Sequence, residues 1–344
     1  MQNFAEHKNL KVFVLKGEQE IQRKYISLEE AMEKKFIKLH ETGDVNRLEA
    51  DNVSDQFIFI MAGDIVKGGK QDRTMAEDVI LRPKSKKISL NAFCVESNRW
   101  RQRGSESDVK FSSSSNMLSD RKQKIAARES SSQHEVWDSV SEFQSKASRN
   151  INENVKSRES ESSLQLTLEN KKLKASIEEY IKAIQPLFDG HKDALGFAFF
   201  VNGRISTVEK FGNASLFQSL QKKLLQAAAG EALAHMNDTT TYEAKENMTL
   251  EDFIAYAESK GTIEEEITRK VSENTKEKKR KTDKTILFSV FDADVSDEIS
   301  VHTSIYSTDA LTRADSAAQH DFQYGGNSGR MDHRAIPIPR TNRD

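Results

Sequence analysis

The residue types best suited to chemistry in this sequence lie in one short polar segment between two strand-like runs. The segment reads Lys67-Gly68-Gly69-Lys70-Gln71-Asp72-Arg73. Adjacent glycines let backbone N–H groups approach a ligand and form a concave nest, while the lysines and the arginine add positive charge. The segment therefore predicts an anion-binding loop. It is not a P-loop, because the G-x-x-x-x-G-K-[ST] spacing is absent.

A purely structural interpretation of the same loop stays open. Glycines in loops commonly serve turn geometry, so Gly68 and Gly69 would make a tight connection. Lys70 and Arg73 would then form ion pairs with nearby carboxylates. The candidate partners are Asp64, Asp72, Glu77 and Asp78.

Three side chains are candidate catalytic residues if the chain is an enzyme, and Asp64 or Glu96 would act as the general base. They are Asp64 just before the loop, Glu96 at the end of a strand-like run, and His302 on the last such run. The alternatives are a structural ion pair at Glu96 and a satisfied strand histidine at His302. Cys94 is in phase with the apolar residues of its strand, which favours a buried thiol over a nucleophile.

A single aromatic residue lies in a basic cluster soon after Glu96. Arg99, Trp100 and Arg101 could form a stacking platform with phosphate contacts. Alternatively, Trp100 packs over the edge of the sheet and the arginines are solvated. Together with the Lys67–Arg73 loop, these three residues make up the predicted ligand-binding set.

Composition excludes several classes of protein and site. The chain has 344 residues and a net charge of -2, so no global field favours nucleic acid or an anionic membrane. Its histidines are isolated and no C-x-x-C motif occurs, so we expect neither a metal site nor a cofactor. One cysteine excludes an internal disulfide, and no apolar run approaches the roughly 20 residues of a membrane span. We therefore expect a cytoplasmic protein.

The pattern of apolar residues predicts an α+β fold. In the N-terminal half, strand-like runs occupy 57–61, 75–81 and 88–96. Their short connections favour an antiparallel, sandwich-like sheet. The C-terminal half combines amphipathic helices with hairpins, and Asn202-Gly203 is typical of a type I′ turn. Capping boxes at Ser27–Glu30 and Ser132–Glu135 predict the starts of two helices.

We expect one α+β domain over residues 8–306. Its parts are a β-rich signature part (8–103), a serine-rich mobile connection (104–132) and a helix-and-hairpin part (133–306). The segment 307–344 loses apolar periodicity and is predicted to be a disordered tail. The basic run 276–281 is predicted to be solvated, with a helical conformation as one option.

The stretch Ala62 to Arg73, followed by Phe93-Cys94-Val95-Glu96 and Arg99-Trp100, resembles the signature of a bacterial family, the ARG- and rhodanese/phosphatase-associated protein domain. The family pattern is similar to G-[DE]-x-[VL]-x-G-[GA]-K-Q-[ND]-R, followed by a strand that leads into a C-V-E-x-x-R-W-like element. The resemblance covers most of residues 8–306 and is sharpest over about Gly63 to Arg101. It implies a domain of unestablished activity, and the family name hints at nucleotide or ADP-ribose metabolism or defence.

Three functions are compatible with these residues. The first is a binding or accessory module, in which Gly63–Arg73 and Glu96–Arg101 form one polar cleft for a phosphate-bearing small molecule or a protein partner. The second is an enzyme acting on a nucleotide- or ADP-ribose-like substrate, with Asp64 or Glu96 as general base. The third is a structural scaffold in an assembly. The oligomeric state does not follow from the sequence.

Overall fold

The computed structural model describes residues 3–97, 111–130, 132–238 and 248–308. Within these ranges the chain has the predicted α+β fold, and most of its strand pairs are antiparallel. The strands are β1 (Phe4–His7), β2 (Leu10–Leu15), β3 (Tyr25–Ser27), β4 (Ile37–Glu41), β5 (Arg47–Asn52), β6 (Phe57–Ile60), β7 (Asp64–Gly68), β8 (Arg73–Met75), β9 (Val79–Leu81), β10 (Ile88–Cys94), β11 (Phe111–Met117), β12 (Gly196–Val201), β13 (Arg204–Phe211), β14 (Ile263–Lys270), β15 (Thr275–Thr282), β16 (Thr285–Asp292) and β17 (His302–Ser307). The helices are α1 (Leu28–Glu33), α2 (Arg121–Ile125), α3 (Gln133–Ile151), α4 (Leu164–Leu168), α5 (Lys171–Asp189), α6 (Ala214–Ala234) and α7 (Leu250–Ala255), with π-helical turns after α2 (Ala126–Ser130) and α7 (Tyr256–Lys260).

Three sheets organise these strands. The largest has eight strands in the order β1-β2-β12-β13-β17-β16-β15-β14, so the first two strands of the chain pair with its C-terminal half. A six-stranded sheet has the order β11-β7-β8-β10-β5-β4, and a three-stranded sheet has the order β3-β6-β9. The loop Lys67–Arg73, called the signature loop below, connects β7 to β8, so the six-stranded sheet positions it.

The main hydrophobic core lies between helices α3, α5 and α6 and the eight-stranded sheet. The helices contribute Phe143, Tyr180 and Leu224 to this core, and the strands contribute Val12 and Phe197. The amphipathic spacing of the helices explains this, because each places one apolar stripe against the sheet. A second core forms around α1 and the two smaller sheets.

Local sequence signals determine several element boundaries, as predicted. Ser27 accepts a hydrogen bond from the Glu30 N–H at the start of α1, and Ser132 does so from the Glu135 N–H at the start of α3. Asn202 and Gly203 have φ angles of 52° and 77°, and β12 pairs with β13 across them. Positive φ at both central residues is what a type I′ turn requires.

Three segments differ from the sequence prediction. Residues 75–81 do not form one strand, because the chain turns between β8 and β9, which belong to different sheets. Within the predicted mobile connection 104–132, residues 111–130 form β11 and α2 with its π-helical turn, since β11 pairs with β7 and Met117 and Leu118 enter the core. The basic run 276–281 is extended, because β15 pairs with strands on both sides.

Residues Met1–Thr308 group into one compact unit by their contacts. The division of the chain into a β-rich part and a helix-and-hairpin part stays a prediction. Of the predicted tail, residues 309–344 lie outside the described residues, as do residues 98–110 that follow Glu96 and Ser97.

The pairing of β12 with β13 is tested at Gly196, where the two backbones approach closely. A Cβ atom at this position would lie 2.0 Å from the carbonyl oxygen of Glu209, so Gly196→Ala must push the strands apart. We expect the free energy of unfolding in urea to fall by more than about 2 kcal/mol. Gly17→Ala is the control, because its Cβ would meet only Cδ1 of Leu195, at 3.5 Å. Equal stability of the two variants would contradict the close approach.

Candidate functional site

The signature loop uses its backbone N–H groups to bind carboxylates of its own chain. Gly68 and Gly69 have φ angles of 107° and 59°, which only glycine adopts readily. The Gly68 N–H donates to Oδ1 of Asp72 at 3.0 Å, and the Lys70 N–H donates to Oε1 of Glu41 at 3.1 Å. Two backbone N–H groups of the loop thus bind carboxylates of the chain itself, and the predicted anion-binding role of the loop stays a prediction.

The loop contacts the segment that ends β10. The Gln71 side chain donates to the backbone oxygen of Glu96 at 3.0 Å and accepts a hydrogen bond from the Cys94 thiol at 2.7 Å. Cys94 also pairs with Arg73 across β10 and β8. Cys94 and Glu96 are both fully buried, which agrees with the structural interpretation of the thiol.

Arg73 is the most deeply buried cation of the loop. Its side chain has no exposed surface, and it donates to the backbone oxygen of Gln71 at 3.1 Å. It also pairs with Glu41 at 3.5 Å. Lys67, by contrast, points away from this group and pairs with Glu169 near the start of α5. Loop residues thus divide into an inner set around Arg73 and an outer lysine.

Asp64 is buried and belongs to a separate ion pair. Its carboxylate accepts hydrogen bonds from Nζ of Lys223 on α6 at 2.9 Å and from the Met61 N–H at 3.0 Å. Lys223 also lies 3.5 Å from Glu29. Burial alone would lower the pKa of Lys223, but Asp64 and Glu29 raise it above its ordinary value. The hydrogen bond from Lys223 thus holds the Asp64 side chain in place.

His302 lies at the centre of a buried charge network. Its Nδ1 is 2.8 Å from Asp78 and its Nε2 is 3.0 Å from Glu209, and all three side chains have no exposed surface. Burial alone would lower the pKa of His302, but Asp78 and Glu209 raise it. Burial opposes the charge on Asp78, yet Arg128 and His302 hold its pKa far below the ordinary value. The ring is therefore an imidazolium that donates to both carboxylates.

Helix α2 and its π-helical turn supply the remaining cations of this network. Arg128 donates to Asp78 at 3.1 Å and to Glu277 at 2.9 Å, and Lys124 donates to Glu209 at 3.1 Å. Each anion is thus opposed by at least one buried cation. Such an arrangement stabilises one packing of the surrounding elements, and its members are held by one another.

A polar cavity of about 300 Å³ opens on the outer side of the loop. Lys67 lines it, together with residues of β11, α5 and α6 that include Ser113, Ser115, Lys174 and Lys222. A second cavity of about 310 Å³ shares Ser115 and Lys222 with the first. Ser115 of β11 and residues Lys222 and Gln226 of α6 thus form the wall that the two cavities share.

The side chains that line the first cavity retain unused hydrogen-bonding capacity. Within the described residues, Ser113 and Ser115 make no side-chain hydrogen bond, and Lys174 and Lys222 make no ion pair. Oε1 of Gln226 is buried and accepts no hydrogen bond from the described part of the chain. Of these groups only the Gln226 oxygen is buried, and buried polar atoms usually have a hydrogen-bonding partner. Ser115, Lys174 and Lys222 are exposed, so they can bind either water or a ligand.

The sequence prediction and the cavity overlap at one residue, Lys67. The remaining loop residues and the candidate bases Asp64, Glu96 and His302 do not line it. Arg99, Trp100 and Arg101 lie outside the described residues, so their predicted role stays a prediction. The signal for the cavity was the serine run at 112–115, which sequence reasoning assigned to a connection because polar strands lack apolar alternation.

Two further properties bear on the kind of site. Over the described ranges, no group of three or more histidine, cysteine, aspartate or glutamate side chains has the arrangement needed to hold a metal ion. None of the described helices is long and apolar enough to cross a membrane.

Comparisons with known proteins agree with the sequence signature. The family model of the ARG and Rhodanese-Phosphatase-superfamily-associated Protein domain matches residues 1–306. This confirms the resemblance drawn from the loop and the strand that follows it. No curated protein matches the chain, and no solved structure matches it either.

The division of the loop into inner and outer residues predicts very different costs of substitution. Arg73→Ala removes a fully buried cation beside Glu41, and we expect it to lower the free energy of unfolding by about 3–5 kcal/mol. Lys67→Ala breaks a partly exposed pair, for which we expect less than about 1 kcal/mol. Chemical denaturation of both variants measures the difference. Similar values for the two would show that Arg73 has no special structural role.

The charge on His302 predicts a pH dependence of stability. Because the pKa is raised in the folded state, the stabilisation is fully present below about pH 6.5 and is lost as the pH rises through the folded-state value. We expect His302 to contribute a slope of about 1.4 kcal/mol per pH unit across that window. His302→Gln should remove this slope, whereas the exposed His134→Gln should not. An NMR titration that finds the His302 ring neutral at pH 7 would contradict the assignment.

Proposed function

Since the chain belongs to the ARG and Rhodanese-Phosphatase-superfamily-associated Protein domain family, we propose that it is a binding or accessory module. Its ligand would be an anionic small molecule that occupies the cavity beside Lys67. The observation that supports this most directly is the unused hydrogen-bonding capacity of the cavity wall. A cytoplasmic location is part of the same proposal, because the single cysteine fits a reducing compartment.

The charges around the cavity favour an anion. Lys67, Lys174 and Lys222 line it, against the two carboxylates of Glu169 and Glu178. Lys67 and Glu169 neutralise each other as an ion pair. The two remaining lysines therefore outweigh the single remaining glutamate, and an anionic group between them would be attracted from solution.

The uncharged lining determines what else the ligand needs. Serine hydroxyls both donate and accept hydrogen bonds, and glutamine offers an oxygen and an N–H group. Ser113, Ser115 and Gln226 can therefore meet hydroxyl and phosphate oxygens alike. At about 300 Å³ the cavity is at the lower end of small-molecule sites, which suits a ligand no larger than a nucleotide or a phosphorylated sugar.

The inner loop residues would act on this site indirectly. Gly68, Asp72 and Arg73 fix the connection between β7 and β8, and so they fix the position from which Lys67 projects. The enzymatic alternative stays a prediction. Its candidate bases, including Asp64 and His302, are engaged in the buried ion pairs described above.

A thermal-shift titration tests the proposal. The probes are inorganic phosphate, AMP and ADP-ribose, and at least one should raise the melting temperature of the full chain. A ligand at about 100 times its Kd adds about 2.7 kcal/mol to the free energy of unfolding, which is a shift of several degrees. Lys174→Ala combined with Lys222→Ala should reduce the affinity for that probe at least about tenfold, since both cationic partners are lost.

The matched control removes the same charge from the same region. Lys171→Ala combined with Lys182→Ala takes two exposed lysines from α5 that do not line the cavity. This control should bind the probe as the unmodified chain does. An equal loss of affinity in both double variants would mean that the probe responds only to the overall electrostatic field of the protein. The absence of any shift with all three probes would overturn the proposal.

A further inference from the structure

Strand β14 ends the eight-stranded sheet with an unpaired edge. It spans eight residues, Ile263–Lys270, and within the described residues it pairs on one side only, with β15. Seven of its eight side chains are exposed. An edge of this length presents a row of free backbone N–H and C=O groups to any strand that can approach it.

Apolar residues on this strand are unusually exposed. Ile263 and Ile267 have 50% and 43% of their surface accessible, the two largest values among the exposed large hydrophobic residues of the described chain. Ile267 lies near the middle of the strand, between two blocks of charge. An isoleucine at the centre of a free edge does not prevent another strand from pairing there, as a charged residue or a proline would.

The order of charges along β14 is self-complementary. The strand reads Ile263-Glu264-Glu265-Glu266-Ile267-Thr268-Arg269-Lys270, with acidic residues before Ile267 and basic residues after it. Two copies of such a strand that run antiparallel place the acidic block of each against the basic block of the other. Opposite charges directly across two strands stabilise the pair, and like charges destabilise it.

One two-fold register satisfies this pattern. With Ile267 opposite Ile267 of the second copy, Glu265 lies opposite Arg269. Glu264 is the extra residue of a bulge, and it lies at the same end of the interface as Lys270 of the second copy. Arg269 already pairs with Glu77 and Glu277, and Glu265 with Lys279, within its own chain. Glu264 and Lys270, in contrast, have no ion-pair partner among the described residues. At each end of the interface, the acidic and the basic residue that lack an ion pair within their own chain are thus close to each other.

We propose that β14 is a self-association edge, through which two copies of this chain pair antiparallel about a two-fold axis at Ile267. The eight-stranded sheets of the two copies then form one continuous sheet. The occupant is a second copy, because the strand complements its own sequence in charge and in the position of its central apolar residue. Such isologous contacts are the usual basis of dimers.

An alternative explanation is that the charged residues of β14 prevent other strands from pairing with it. Proteins often keep edges apart with charges, most often lysines, and with bulges. β14 has a bulge between Ile263 and Glu265, at the start of the strand, so the ladder from Glu265 to Lys270 is uninterrupted. Its charges are separated into blocks of opposite sign, and this order attracts a second copy, whereas a uniform sign would repel it.

The interface predicted here is small, and the association should be correspondingly weak. Edge pairing of one strand per copy buries less than the roughly 1,200–2,000 Å² of a standard interface, so we expect a Kd in the range of about 10–100 µM. Sedimentation velocity of the full chain across that range measures it directly.

Charge reversal provides the decisive experiment. Glu264→Lys sets lysines against each other at both ends of the interface, and Lys270→Glu sets glutamates against each other. Each variant alone should dimerise at least about tenfold more weakly than the unmodified chain. Mixed in equal amounts, the two variants become complementary at both ends, so heterodimers should form with the original affinity. Glu298→Lys is the control, since this exposed residue lies between β16 and β17, outside the edge.

A cysteine scan of the edge tests the register. Opposed residues in antiparallel strands have Cα atoms about 4.5–5.5 Å apart, within the range that a disulfide spans. Ile267→Cys should therefore form a covalent dimer on mild oxidation, whereas Ile263→Cys should not. The native Cys94 is buried and does not interfere.

Three results would each overturn the proposal. They are a monomeric chain throughout the measured range, self-association that neither charge reversal weakens, and a mixture of the two variants that gains no heterodimer. A stronger cross-link at Ile263→Cys than at Ile267→Cys would overturn the register. Because the substitutions on β14 and the control at Glu298 all lie at exposed positions, circular dichroism should show an unchanged fold in every variant.

Discussion

The contact on which the rest of the structure depends is the buried contact of His302 with Asp78 and Glu209. Asp78 belongs to the turn between β8 and β9, whereas Glu209 and His302 lie on β13 and β17 of the eight-stranded sheet. The histidine therefore joins the signature half of the chain to the C-terminal half. Arg128 and Lys124 complete the charge balance from the helical segment between them. Removal of one partner would leave an uncompensated buried charge, which costs about 3–5 kcal/mol in proteins. We interpret the network as the feature that selects one packing of the two halves.

Much of the local structure follows from the sequence, and the long-range pairing does not. The capping serines of α1 and α3 and the Asn202-Gly203 turn act within a few residues, so their effect is visible in the sequence itself. The α+β class follows from the same signals. The sheet order β1-β2-β12-β13 is different, because it depends on which apolar faces meet after the 180 residues that separate β2 from β12. Likewise, β11 is polar and becomes a strand only because β7 and the core accept it.

At the candidate site, too, contacts between residues distant in the sequence could not be predicted. The glycines and the charges predicted an anion-binding loop, but they could not show that carboxylates of the chain itself would accept hydrogen bonds from the loop backbone. Asp72 is four residues from Gly68, and Glu41 comes from a different strand of the sheet. Both carboxylates belong to the protein, which makes the inner loop a structural device. Lys67 was part of the prediction, whereas Lys174 and Lys222 come from α5 and α6 and had no motif to mark them.

Whether a polar side chain has a partner within the chain distinguishes the residues that hold this fold together from those available to a ligand or a second protein. Buried charges such as Asp64, Arg73 and His302 have partners within the chain, and their hydrogen-bonding capacity is largely used. The cavity wall at Ser113 and Lys222 and the strand edge at Glu264 and Lys270 lie at the surface with their capacity unused. A polar group in a folded protein satisfies its hydrogen bonds with the chain, with water or with another molecule. Where several such groups converge in a concave space, or are ordered to complement their own copy, another molecule can replace the water that solvates them. The proposed binding positions would therefore be those at which the described part of the chain leaves polar groups without a hydrogen-bonding partner. Apart from Lys67, these positions lie outside the motif that marks the family.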